Sequence, residues 1–152
     1  MPETIVQKPS LRDPGVHQAV VERIGRLTKN SRPAWGEMTV GQMLAHCAEV
    51  QDVLNGAPLV GTPWWIKAAS PLIKRVVLGG RPFPRGIGTH PQYRQAEERS
   101  FDAERRRLLA SLADFRASED GLDHPLFGHL TPDEAGWSAY KHLDHHLRQF
   151  GV

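Results

Sequence analysis

Thr131-Pro132-Asp133-Glu134-Ala135-Gly136-Trp137-Ser138-Ala139-Tyr140-Lys141-His142-Leu143-Asp144-His145-His146-Leu147-Arg148-Gln149-Phe150-Gly151-Val152 closes the chain. It opens with a capping box, Thr131 ahead of Glu134, and places Pro132 at the first helical position. Trp137, Tyr140, Leu143 or Asp144, Leu147 and Phe150 then recur at helical spacing. The stretch predicts a long amphipathic helix with one apolar stripe for a core. His142 and His146 stand one turn apart on one face of it, so their imidazoles can point at a common centre. Neutral imidazole is the commonest metal ligand. Three protein ligands and one open position are the arrangement of a catalytic zinc-type site.

A third imidazole lies far upstream. Thr39 and Gln42 form a second capping-box pattern, and the helix they open carries Met43, Leu44, Cys47, Val50 and Leu54 before a natural stop at Gly56. His46 sits in its middle, about 100° from Cys47, on the face of Gln42, Glu49 and Val53. An ion held by His46, His142 and His146 would bridge two walls of a helical bundle, where ligands on facing helices converge in the core. Histidines satisfied by backbone carbonyls are the ordinary alternative.

The remaining elements follow from breakers and periodicity. Asp13 and Pro14 start a first helix, read from about 14 to 29 on Val16, Val20, Ile24 and Leu27. Residues 1–12 read as an extended lead-in. The stretch 56–91 holds much of the glycine and proline and reads as a long irregular connection. It contains one helical candidate, 63–78, interrupted near Pro71, and a loop over 79–86. A connection this long is often a pocket wall or lid. A long helix is expected from 92 to about 117, with Phe101, Leu108, Leu109, Leu112 and Phe115 inward and Arg105, Arg106 and Arg107 on a solvated face. Residues 124–129 read as loop. Four main helices without a convincing strand make the expected fold all-α, in a single domain spanning 1–152.

Composition narrows the class. Nineteen Lys and Arg against 17 Asp and Glu leave a net charge of +2, too small an excess to predict a nucleic-acid partner. Cys47 is the sole cysteine, so no intrachain disulfide can form. The N-terminus lacks the basic start and apolar core of a signal peptide. The most apolar stretch, 63–78, carries Lys67, Lys74 and Arg75 and is too short to span a bilayer. These features predict a cytoplasmic protein without stable membrane association.

The ending HLDHHLRQFGV, together with MLAHCAE around His46, resembles the DinB/YfiT-like superfamily of four-helix metalloproteins. The run HPLFGHLTPDEAGWSAYKHLDHHLRQFGV is further similar to the C-terminal signature of an uncharacterised, domain-of-unknown-function family within it. This narrower similarity also takes in the region from Trp35-Gly36-Glu37-Met38 to His46. The resemblance implies a DinB-like four-helix bundle and a divalent metal held by His46, His142 and His146. Zinc ranks first, with nickel, iron or manganese as alternatives. No ligand role passes to His145, to the first helix or to the Gly/Pro-rich middle. The resemblance also implies a metal that activates a small thiol or water nucleophile, in a thiol transferase, isomerase or hydrolase. The partner would be a small-molecule substrate, a low-molecular-weight thiol among the candidates, and a homodimer is compatible with it. A non-catalytic metal-binding or scaffold protein of the same fold is the rival reading.

Other residues have bland and sharp readings. Cys47, in an apolar stripe, reads as core packing rather than a nucleophile. Glu49 is the candidate catalytic residue, placed to orient the free ring nitrogen of His46 or act as a base; a solvated helix glutamate is as ordinary. His145 lies about 100° from His146 and reads as a surface residue or a donor behind the ligands. His124 and His129 line a pocket mouth or stabilise a turn. Gln149 is favoured over Asp144 as a partner to a ligand histidine. Trp64 and Trp65 are expected to pack on the bundle or in a dimer interface rather than on a membrane. Gly136 costs helix propensity, and nothing in the sequence accounts for it.

Overall fold

Helix caps written in the sequence set most of the starts. A computed structural model describes residues 8–152; the part of the expected lead-in over 1–7 lies outside them. Five α-helices follow in order: α1 Pro14–Gly25, α2 Val40–Leu54, α3 Trp64–Leu78, α4 Phe101–Ala117 and α5 Pro132–Gln149. The Asp13 carboxylate accepts from the Gly15 and Val16 amides, and both capping boxes form in full. The chain is mostly helical, with one small antiparallel hairpin, β1 Leu122–His124 paired to β2 Gly128–Leu130.

Four helices share one apolar core. Val20 and Ile24 of α1, Met43, Leu44 and Cys47 of α2, Leu108, Leu112 and Phe115 of α4, and Leu143 and Leu147 of α5 all belong to it. Eleven residues of α2 are buried, so this helix lies inside, and His46 is among them. Charged clasps tie the walls together. Arg107 donates to Glu49 at 2.7 Å and to Asp52 at 2.8 Å, joining α4 to α2. Arg23 donates to Asp144 at 2.8 Å, joining α1 to α5. Arg107 therefore serves as a clasp, not part of a free basic face.

Several expected boundaries shift. The first helix ends at Gly25, because the Arg26 and Leu27 amides turn back onto the carbonyls of Arg23 and Ile24 in a tighter turn. Leu27 still reaches the core from that turn. Helix α3 runs unbroken through Pro71. The proline and Lys67, whose carbonyl loses its helical donor, are both exposed, so water can satisfy that carbonyl. The expected long helix begins at Phe101 rather than near 92: Ser100 caps it through the Ala103 amide, with Asp102 and Glu104 in its first turn. Upstream lie a 3-10 turn at Pro91–Tyr93 and an irregular run, bent at Glu97, that passes the start of α2. Along that run Glu97 O accepts from Gln42 Nε2, and Glu98 accepts from the Thr39 hydroxyl at 3.0 Å.

The hairpin replaces the expected loop over 124–129. His124 is buried, and its Nδ1 accepts from the Leu126 and Phe127 amides at 3.1 and 3.3 Å. Gly128, at φ +70°, completes the reversal. Gly136 has a packing reason: a Cβ there would fall onto Ser10 Oγ. The close approach lets the Leu11 amide donate to Gly136 O at 3.1 Å while Leu11 enters the core. Trp64 and Trp65, expected to pack on the bundle or in a dimer interface, do not pack on the bundle and are exposed.

Candidate metal centre

Helix α2 brings His46, and helix α5 brings His142 and His146, to one place. Their candidate ligand nitrogens all lie within 4.8 Å of one another, with His46 and His146 buried and His142 half-buried. Among the described residues this is the one group of three or more His, Cys, Asp or Glu side chains gathered closely enough to hold a metal ion.

Hydrogen bonds decide which nitrogen of each ring is free. His46 Nδ1 lies 2.9 Å from the Tyr93 carbonyl oxygen, which can only accept, so this nitrogen carries the proton. His146 Nδ1 lies 2.8 Å from Gln149 Oε1. The Gln149 amide is oriented in turn, because its Nε2 donates to Trp35 O at 2.9 Å. His146 Nδ1 is therefore also protonated. Both rings are left with a lone pair on Nε2, and His46 Nε2 stands 3.0 Å from His142 Nε2. Two nitrogens bound to one tetrahedral zinc at its usual bond length would sit about 3.3 Å apart. The donor set fits a divalent ion, and partners behind ligand histidines are how proteins fix ring orientation and tautomer.

The electrostatics favour the ligating form. Burial lowers the pKa of His46, against a smaller opposing effect from the Tyr93 carbonyl. Burial, then the nearness of His146 and His46, holds His142 well below the ordinary histidine value. His146 is lowered to about 3, by burial first and by His46 second. All three rings are thus neutral near pH 7, as metal binding requires.

The other singled-out residues take the following places. His145 is half-buried, edge-on to Trp35 and to Phe83 with ring centroids 5.7 Å away in each case, and stands outside the triad. Glu49 receives Arg107, while the His46 nitrogen it was expected to orient belongs to Tyr93. Gln149 is the partner to His146, and Asp144 is held by Arg23 and Arg148. Cys47 is fully buried against Met43, and burial pushes its thiol pKa up, so it packs. His124 stabilises a turn, and exposed His129 pairs with Asp123 at 3.1 Å. The segment after α3 lines a cavity of about 270 Å³, where Arg81, Phe83 and Arg85 face Trp35, Lys141 and His145; none of the three triad histidines lines it. Sequence reasoning missed the carbonyls of Tyr93 and Trp35, since a carbonyl acceptor leaves no mark in residue type.

The protein is thus a mostly helical one with a buried three-histidine cluster able to hold a metal ion. A family model described as "Protein of unknown function (DUF1569)" matches residues 7–151, and the chain belongs to that family. The searches of curated proteins and of solved structures each returned no match. Among the described residues, no helix is long and apolar enough to cross a membrane.

Proposed function

We propose that the chain is a metal-dependent enzyme of the DinB/YfiT-like type, with His46, His142 and His146 as the ligands of a divalent ion. The observation that carries this reading is the pair of oriented imidazoles: His46 and His146 both donate Nδ1–H to fixed acceptors, which leaves Nε2 of each free within a cluster of three rings. A buried histidine present only for packing needs one satisfied nitrogen and no convergence with two others. A bound divalent ion with an open position supplies a Lewis acid that lowers the pKa of a water or thiol nucleophile. The chain's own part is to keep three rings neutral and close together, with His46 and His146 each held in one tautomer. Zinc suits the all-imidazole set, and nickel, iron and manganese are the alternatives.

The test is metal analysis of protein made without a histidine tag. The parent should carry about one equivalent of metal, whereas His46→Ala, His142→Ala and His146→Ala should each lose it and His145→Ala should keep it. Loss in His145→Ala with retention in His146→Ala would overturn the ligand set. Cobalt-substituted protein should change its visible spectrum when azide or a small thiol enters the open position. A spectrum indifferent to every added ligand, with no thiol-transfer or hydrolytic activity, would favour the non-catalytic scaffold.

A further inference from the structure

Helix α3 contributes only one fully buried side chain, Ile66. Ala69, Ile73 and Val77, all half-buried, continue its inner side. Its outer side is apolar and open: Trp64 is 79% exposed, Trp65 54%, Leu72 64% and Val76 41%. At 100° per residue these four fall within about a third of the helix circumference. Large apolar side chains grouped in this way on a surface mark an interaction site more often than chance. The helix has no acidic residue and carries Lys67, Lys74 and Arg75. Lys74 lies near Glu134 of α5, whereas Lys67 and Arg75 are exposed and form no ion pair among the described residues.

The helix is also held firmly in place. Lys141 Nζ donates to Val76 O at 2.6 Å and to Gly79 O at 2.9 Å, and Trp137 Nε1 donates to Leu78 O at 3.1 Å. These contacts pin the C-terminal end of α3 to α5 while its outer face stays free.

We propose that the outer face of α3 docks reversibly on an anionic membrane surface. Charge chooses this occupant. An isologous pairing of two α3 faces would set cations against cations with no acid on either helix to offset them. Anionic headgroups complement those cations, and indole rings are favoured at the boundary between headgroups and acyl chains. The lysine and arginine stems can lie along the apolar surface with their charges in the headgroup layer.

The experiment is sedimentation of the full chain with vesicles of phosphatidylcholine alone and with vesicles that also carry phosphatidylglycerol. Binding to the second kind is expected, with a blue shift of tryptophan emission, and it should weaken as salt rises. Trp64→Ala/Trp65→Ala, which leaves the core untouched, should lower partitioning at least tenfold while far-ultraviolet dichroism stays the same. Lys67→Gln/Arg75→Gln should lower it about 25-fold, since each cation near such a surface contributes about fivefold. The proposal is overturned by absence of binding to either vesicle, or by a tryptophan variant that binds as well as the parent. It is equally overturned by a dimer in light scattering that Trp64→Ala/Trp65→Ala converts to monomer, which would show that a second copy covers the face.

Discussion

Replacing Gln149 tests the proposed metal centre without touching a ligand. Its side chain, buried to 4% exposure, accepts the His146 Nδ1 proton through Oε1 at 2.8 Å and donates to Trp35 O through Nε2 at 2.9 Å. In Gln149→Leu the His146 ring loses the acceptor that fixes its tautomer and plane. Loss of such a partner typically lowers metal affinity ten- to a hundredfold, or about 1.4–2.7 kcal/mol. The Trp35 carbonyl loses its donor as well, which costs the metal-free fold about 1–3 kcal/mol. Gln149→Glu separates the two effects: a carboxylate still accepts from His146 but cannot donate to Trp35. Zinc affinity, measured by competition with a chromogenic chelator, should therefore fall in the Leu variant and hold in the Glu variant. Stability of the metal-free protein, measured by urea unfolding, should fall in both. A Leu variant that binds zinc within twofold of the parent would refute the reasoning, and so would a Glu variant that loses zinc as badly as Leu.

Chelation of metal-loaded protein should lower its melting temperature. A ligand at a hundredfold excess over its dissociation constant stabilises the native state by about 2.7 kcal/mol, which for a chain of this size is roughly 5–10 °C; an unchanged curve would count against a buried site bridging α2 and α5. Gly136→Ala gains about 1 kcal/mol in helix propensity but drives a Cβ onto Ser10 Oγ, an overpacking that costs about 1–3 kcal/mol. It should be destabilised in urea and largely recovered by adding Ser10→Ala; a single variant more stable than the parent would contradict the close approach. Burial lowers the His124 pKa to about 4, against about 6.5 in the unfolded chain. Its neutral form therefore contributes in full above the unfolded value, and up to about 3 kcal/mol is lost as pH falls from there toward 4. His124→Asn keeps a side-chain acceptor for the turn and removes the titration, so the metal-free variant should show a shallower acid slope than the parent. Equal slopes would mean that His124 is not held neutral.

The sequence made the helical part legible because caps and apolar periodicity are local signals. Asp13, Thr39 and Thr131 each cap the helix expected of them. The errors fall where a local signal was absent or was outweighed by distant contacts. Ser100, with Asp102 and Glu104 behind it, is a readable start for α4, but the polar run before it resembles a helix in composition. That run is irregular, with a bend at Glu97, and it hydrogen-bonds to Thr39 and Gln42 at the start of α2. The hairpin strands are three residues each, too short for a period of two to show. Pro71 argued for a break, yet α3 continues through it, with the proline and Lys67, whose carbonyl it frees, both exposed residues.

The candidate site divides along the same line. Its ligand positions could be read from the i, i+4 pair on α5 and the lone histidine on α2, since regular helices put those rings on predictable faces. What gives the cluster its chemistry comes from irregular chain. Tyr93 belongs to a 3-10 turn and Trp35 to the loop before α2, and each contributes a carbonyl oxygen; the Tyr93 ring also meets the His46 ring edge-on, with centroids 6.2 Å apart. Gly36, at φ +78°, makes the second approach feasible, because a Cβ there would lie 2.9 Å from Gln149 Nε2. Substituting Gly36 should disturb the orientation of His146 through Gln149, although Gly36 touches no histidine of the triad. Helices supply the three imidazoles; two loop carbonyls fix the tautomers of two of them, that of Tyr93 acting on His46 directly and that of Trp35 on His146 through Gln149.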